Sequence, residues 1–186
     1  LNKIKTAVFI SGTGSNLKNL INFSKTKKSP ISIDLIISNT IKAKGLKFAN
    51  QYQIKKKIFN FKNIKTTEKK LFILLKKNKI NFICLAGFMK ILSSKFIKQF
   101  NGKIINIHPS LLPRYKGLNT HSRAIQNKDK FSGCTVHYVT EKLDSGKIIM
   151  QKKIKILKKD TSSSLARKIL KQEHKIYPKA ILKIFN

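Results

Sequence analysis

Apolar residues run through nearly the whole chain in two alternating rhythms, short unbroken runs and stretches at helical spacing. The run IKTAVFI at 4–10 stops at Ser11-Gly12-Thr13-Gly14-Ser15-Asn16, and a period near 3.6 then continues to about Phe23. That switch predicts a strand followed by a helix. ISIDLIIS at 31–38 predicts a second strand, 41–51 a helix, and 54–59 a short strand. The helix predicted at 66–79 keeps Leu71, Leu74 and Leu75 on one face. NFICLAGF at 81–88 reads as a strand buried on both faces, 93–100 as a short helix, and KIINIH at 103–108 as another strand. A long loop with Pro109, Pro113 and Gly117 precedes strands at about 134–139 and 147–156. The last helix is predicted to begin after Asp160 as its N-cap and to reach Ile176 or beyond, with Pro178 kinking or interrupting it.

Repeated strand–helix units predict an α/β fold, a Rossmann-like three-layer arrangement whose mostly parallel sheet has right-handed crossovers. About seven residues, Thr140 to Gly146, join the last two strands. That is too few for a helical crossover, so this pair is expected to be antiparallel. No repeat, Pro-rich linker or low-complexity block interrupts residues 1–186, and the length suits one domain. Ligands of such sheets bind beyond the carboxyl ends of the strands, which directs attention to Ser11–Asn16, Gly87–Leu92 and Asn106–Gly117.

Composition changes the picture less than it first suggests. With 41 Lys plus Arg against 7 Asp plus Glu, the net charge is +34, which invites a nucleic-acid-binding reading. Yet 38 of the 41 are lysine, and only Arg114, Arg123 and Arg167 offer the planar fork that reads phosphate and base edges in two bonds. Lysine, 28 isoleucines and 15 asparagines are all products of A/T-rich codons, so one genomic bias accounts for the three excesses together. A solvated basic surface is the expectation, with no specific nucleic-acid partner; a non-catalytic basic nucleic-acid-binding protein stands as the alternative. No run approaches the roughly 20 apolar residues of a membrane span, and no secretory signal is recognisable. Cys84 and Cys134 make neither a disulfide framework nor zinc spacing. A soluble, reducing, cytoplasmic setting is expected.

Gly12-Thr13-Gly14-Ser15-Asn16, between a strand and a helix, can offer backbone N–H groups and a helix dipole to a phosphate. It lacks the third glycine of a dinucleotide fingerprint and the GK[ST] of a Walker loop, so a ligand-free tight turn is the competing reading. Strand alternation puts Asn106 and His108 on one side of the 103–108 strand. An amide that donates to an oxyanion beside an imidazole that moves a proton suits acyl or formyl chemistry. Asp144, in Leu143-Asp144-Ser145-Gly146, is either ordinary turn chemistry or, if its loop folds back, a carboxylate that would raise the His108 pKa. His121 and His137 are further candidates but make a poor zinc site, and Cys84 reads as core.

ISGTGSNL (10–17), LAGFMKIL (85–92), INIHPSLLPRYKGLNTH (105–121), TVHYVTEKLDSG (135–146) and QEHKIYP (172–178) together resemble the phosphoribosylglycinamide formyltransferases of purine biosynthesis. The HPSLLP segment is similar to a wider group of folate-dependent formyl-handling enzymes, and the first and last segments narrow the resemblance. It implies a Rossmann-like mixed sheet and formyl transfer from 10-formyltetrahydrofolate to the amine of glycinamide ribonucleotide. It implies no metal and no permanently bound cofactor, and a monomer or homodimer acting on small molecules. By resemblance Asn106, His108 and Asp144 are the catalytic set, Gly14, Ser15, Asn16 and Glu173 contact the ribonucleotide, and Met89, Lys90, Ile91, Leu92, Asn106, Thr140 and Asp144 line the folate cleft.

The chain departs from the family where Lys90 replaces a common arginine, Lys116 a proline and Asn119 a histidine. Around Asn63–Glu68 no arginine matches the folate contact of some relatives, and Leu1 in first position suggests a non-standard start codon or a trimmed end. Two rivals inside the folate group are a methionyl-tRNA formyltransferase, whose family normally adds a C-terminal RNA-binding domain, and a formyltetrahydrofolate deformylase, which usually carries an extra N-terminal domain.

Overall fold

A computed structural model describes residues 2–185. In chain order the elements are β1 (Ile4–Ile10), α1 (Ser15–Ser24), β2 (Ile31–Ser38), a 3₁₀ turn (Lys44–Leu46), α2 (Lys47–Gln51), β3 (Lys55–Ile58), α3 (Ile64–Lys77), β4 (Phe82–Leu85), α4 (Ser94–Gln99), β5 (Lys103–His108), α5 (Thr120–Gln126), β6 (Phe131–Tyr138), β7 (Ile148–Lys155) and α6 (Ser162–Phe185). The strands form a seven-stranded sheet in the order β3-β2-β1-β4-β5-β6-β7. The chain falls into two compact units, one ending at Ile105 and one starting at Asn106.

In the first unit β1 runs parallel to both β2 and β4, and β2 parallel to β3. Thr6–Ile10 are buried whichever way their side chains point, which is why β1 is an unbroken apolar run and not an alternating one. The β1–β2 register slips between Thr6 and Ala7, skipping Asp34, whose carboxylate accepts from the Thr6 N–H and the Ser32 hydroxyl. The slip is how a charged residue is accommodated in an inner strand. β3 (KKKI) lies at the end of the strand order, and three exposed lysines guard its edge against pairing with another chain. Helix α1 buries Leu17, Leu20 and Ile21 on one stripe, and the Asn63 side chain caps α3 by accepting from the Thr66 N–H.

In the second unit β6 and β7 are antiparallel, as their short connection predicts. Helix α6 buries Leu165, Ile169, Glu173, Ile176, Tyr177, Ala180 and Ile181. It runs through Pro178 to Phe185 without interruption, so of the expected kink or interruption the second does not occur. An interior proline costs roughly 3 kcal/mol. Fully buried Tyr177 and Ile181 flank it, and each large apolar side chain contributes about 1.5–3 kcal/mol on burial, which offsets the loss. The start also differs: Thr161 and Ser164 exchange hydroxyl-to-backbone bonds as the cap, and Asp160, one position earlier, accepts from the Leu157 N–H and binds Lys168.

Three other boundaries move. The 81–88 strand ends at Leu85, because Gly87 turns the chain at φ +72. The helix expected at 41–51 is a 3₁₀ turn and five residues of α-helix, since Gly45 packs against Gly14. Helix α5 was hidden in the long loop: its buried face is Thr120 and Ala124, too small and polar to register as a period. Among the described residues no helix is long and apolar enough to cross a membrane.

Candidate active site

The second unit gathers its chemistry at the carboxyl end of β5. Strand alternation sets Asn106 and His108 on one side, and the turn after β6 brings Asp144 to them. Nδ1 of His108 lies 3.4 Å from Oδ2 of Asp144, and both side chains are buried. Nε2 of the same ring is 2.8 Å from the carbonyl of Tyr115, which can only accept, so Nε2 carries the proton. That bond selects the tautomer and leaves Nδ1 as the working nitrogen, facing the carboxylate. The other Asp144 oxygen is 3.6 Å from Nε2 of His137. His137 donates from Nδ1 to the carbonyl of Tyr138 at 2.9 Å, so Nε2 is positioned to accept from the Asn106 amide at 3.3 Å. The Asn106 amide is thereby oriented with a second N–H to spare.

Asp144 is held in a left-handed conformation, φ +46, by the Gly117 N–H at 2.9 Å from its carboxylate. Burial pushes its carboxyl up, but the imidazole of His137 at 3.6 Å, the hydrogen bond from the Gly117 N–H and the neighbouring His108 outweigh that and hold it below the ordinary range. For His108 the balance runs the other way. Burial is the largest influence and lowers its pKa; the Tyr115 carbonyl and Asp144 pull it back up, and His137 and Arg123 push it down. The loop does fold back as expected, yet burial wins. Asp144 raises the His108 pKa as expected, but burial is the larger influence and sets the net direction.

His121, on α5, is also lowered, by burial first and then by the charge of His108. Glu173 is buried on α6, and the Cys134 thiol is pushed up to about 12 by its own burial first and by the charge of Glu173 second. Thr140 is exposed and bonds the Lys142 carbonyl. Among the described residues no group of three His, Cys, Asp or Glu side chains is arranged to hold a metal ion.

The first unit builds two features of its own at strand ends. Gly14, at φ +76, is the N-cap of α1, and a Cβ there would lie 2.6 Å from the Gly45 Cα. Gly12 accepts from the Gly45 N–H at 3.0 Å, and a Cβ on Gly12 would meet nothing within 4 Å. The loop is thus closed on one side by glycine packing and open on the other, at the head of a helix whose first-turn amides have no intrahelical acceptor. Ser15 and Asn16 lie in that first turn. The second feature is residues 89–92. Met89, Lys90 and Ile91 are exposed and Leu92 is buried. The Met89 N–H donates to Oγ of Ser11 at 2.8 Å, the Ser11 hydroxyl donates to Asn39, and the Ser11 N–H donates to the Gly87 carbonyl. Glu68 fixes the other end by accepting from the Ser93 N–H at 2.7 Å.

Three participants were missed or undervalued from sequence. His137 was weighed as a metal ligand, Tyr115 acts through its carbonyl, and Ser11 was only the edge of a loop. Only the alternation of His137 with Thr135 and Val136 along β6 carried any signal.

The comparisons with known proteins give the family of the chain. The formyl transferase family model matches residues 4–181. The phosphoribosylglycinamide formyltransferase of Haemophilus influenzae is 43% identical over 180 residues, covering 95% of this chain and 85% of that protein. The human trifunctional purine biosynthetic protein adenosine-3 is 41% identical over 182 residues, and this chain spans 18% of its length. The crystal structure of the Brucella melitensis phosphoribosylglycinamide formyltransferase superposes with a TM-score of 0.92 at 40% identity, covering 98% of this chain and 96% of that one. The chain belongs to the formyl transferase family, on its phosphoribosylglycinamide formyltransferase branch.

Proposed function

We propose that the chain transfers the formyl group of 10-formyltetrahydrofolate to the amine of 5′-phosphoribosylglycinamide. The observation that carries the reading is the convergence of an amide, an imidazole and a carboxylate (Asn106, His108 and Asp144) at one strand end. The substrate amine attacks the formyl carbon and a C–N bond forms, leaving a tetrahedral oxyanion and a positively charged nitrogen. The spare Asn106 N–H donates to the oxyanion. Neutral His108 takes the amine's proton at Nδ1, and the resulting imidazolium is matched by the carboxylate on one side and the Tyr115 carbonyl on the other. That proton then goes to N10 of the folate as the C–N10 bond breaks. A histidine with lowered pKa beside an ionised carboxylate suits a group that both accepts and returns a proton.

The other roles follow the family pattern. Gly14, Ser15 and Asn16 bind the ribonucleotide phosphate with backbone amides, and Glu173 contacts that substrate. Met89, Lys90, Ile91, Leu92, Asn106, Thr140 and Asp144 take the folate. The test is folate product formation by purified chain, with and without the ribonucleotide. Turnover that requires the ribonucleotide is expected. Equal turnover without it would make water the acceptor, and no turnover from folded protein would sink the proposal.

A further inference from the structure

The loop after β5 has no regular secondary structure until α5, so side chains must hold its shape. One assembly dominates it. Two guanidinium groups lie over the Tyr115 ring, with Cζ of Arg114 at 5.2 Å and of Arg123 at 5.0 Å from its centroid. Its hydroxyl donates to Asp129 at 2.7 Å and accepts from Asn127 at 2.9 Å. Arg114 closes the ring of contacts on Asp129 at 2.8 Å, and Arg123 donates to the Lys116 carbonyl at 2.8 Å. The Ser110 hydroxyl holds the Arg114 carbonyl at 2.6 Å. The backbone at the centre is strained, with Tyr115 at φ +54, so the surroundings must over-determine it.

Codon bias gives this cluster its weight. The chain holds 38 lysines and three arginines, and two of the three arginines are here. Lysine matches arginine in charge but cannot stack flat on a ring or spread its bonds over a fork. A chain that otherwise writes its cations as lysine keeps arginine where planar geometry is needed.

From this geometry we infer that Tyr115 is a positioning residue for the formyl transfer proposed above: the Arg114–Tyr115–Arg123 stack, locked by Asp129, holds the Tyr115 carbonyl on Nε2 of His108 and so presents Nδ1 to Asp144 and the substrate. The carbonyl does for this histidine what an orienting carboxylate does in a catalytic triad. Tyr115 itself touches no reacting atom. Its side chain sets the backbone, the backbone sets the ring, and the ring does the chemistry.

Two variants test it. Arg123→Lys keeps the charge and loses the stack and fork, and Tyr115→Phe keeps the ring and loses the Asp129 and Asn127 bonds. In both, kcat is expected to fall about 10-fold with the KM for ribonucleotide unchanged, a part of the 10²–10⁴-fold that a positioned acid–base contributes. The discriminating readout is the His108 ring in ¹⁵N-histidine-labelled protein. In the unmodified chain its neutral form is expected as the Nε2–H tautomer. In the variants the tautomers should mix and the pKa should move further down, because a bond that raises it is loosened while Asp144, His137, His121 and the charge at 123 remain. Unchanged kcat in both variants would overturn the inference, and so would a fall in kcat with the His108 spectrum unmoved. The spectrum needs no substrate, so an inactive but folded chain would reject the proposed reaction while still testing the positioning.

Discussion

Replacing Asp144 with asparagine is the sharpest single perturbation of the site, because it removes one charge and almost no volume. At 3.4 Å, the separation of Nδ1 from Oδ2, two unit charges attract by roughly 5 kcal/mol at an effective dielectric of about 20. Each 1.4 kcal/mol, about, is tenfold in rate, so the ceiling on the loss lies between about 10³ and 10⁴. The asparagine carbonyl dipole keeps part of the interaction and still accepts from Gly117, which brings the expected fall in kcat to about 10²–10³. The sign on His108 is equally definite. Its pKa is already lowered by burial and Asp144 is one of two influences raising it, so the variant's His108 should titrate at still lower pH. Steady-state turnover between pH 5 and 9, a thermal melt and an NMR titration of His108 make the assay. Turnover within about threefold of the unmodified chain, with the histidine titration unmoved, would refute the role given to the carboxylate.

Three further outcomes follow from the same structure. His108, His121 and His174 are all lowered by burial, so between their folded pKa values and about 6.5 the unfolded state binds more protons than the folded one. The melting temperature should therefore rise as pH goes from 5 to 7, and a flat or falling profile across that window would contradict the three shifts. Gly12→Ala adds a methyl into open space and should leave the melt unchanged while raising the KM for ribonucleotide. Gly14→Ala places a Cβ 2.6 Å from the Gly45 Cα at φ +76 and should lower the melting temperature outright. Gly12→Ala with unchanged KM would remove the loop from the binding site.

Composition alone did not show which of the few acids matter. Asp34 fills a register slip, Glu68 anchors Ser93, Asp129 locks Tyr115, Asp160 ties the start of α6 to Lys168, and Asp144 faces His108. Each has a specific partner in a chain with seven acidic residues, and each partner is distant in sequence or set by a turn.

Local order could be read from the chain. The strands β1, β2 and β5 and the antiparallel pair were legible because apolar period, turn residues and connection length are short-range properties. The Asn106/His108 pair was legible for the same reason, since alternation along one strand places both side chains. The rest depended on packing between elements. Pro178 stays inside a helix because buried residues on both sides hold it there, and α5 forms although its sequence carries no period. His137 joins Asn106 across 31 residues of chain and the Tyr115 carbonyl joins His108 across 7, in both cases through packing and not through strand alternation. The resting charge of His108 was beyond sequence too: proximity of a carboxylate predicts one sign, and only the depth of burial showed that desolvation sets the other.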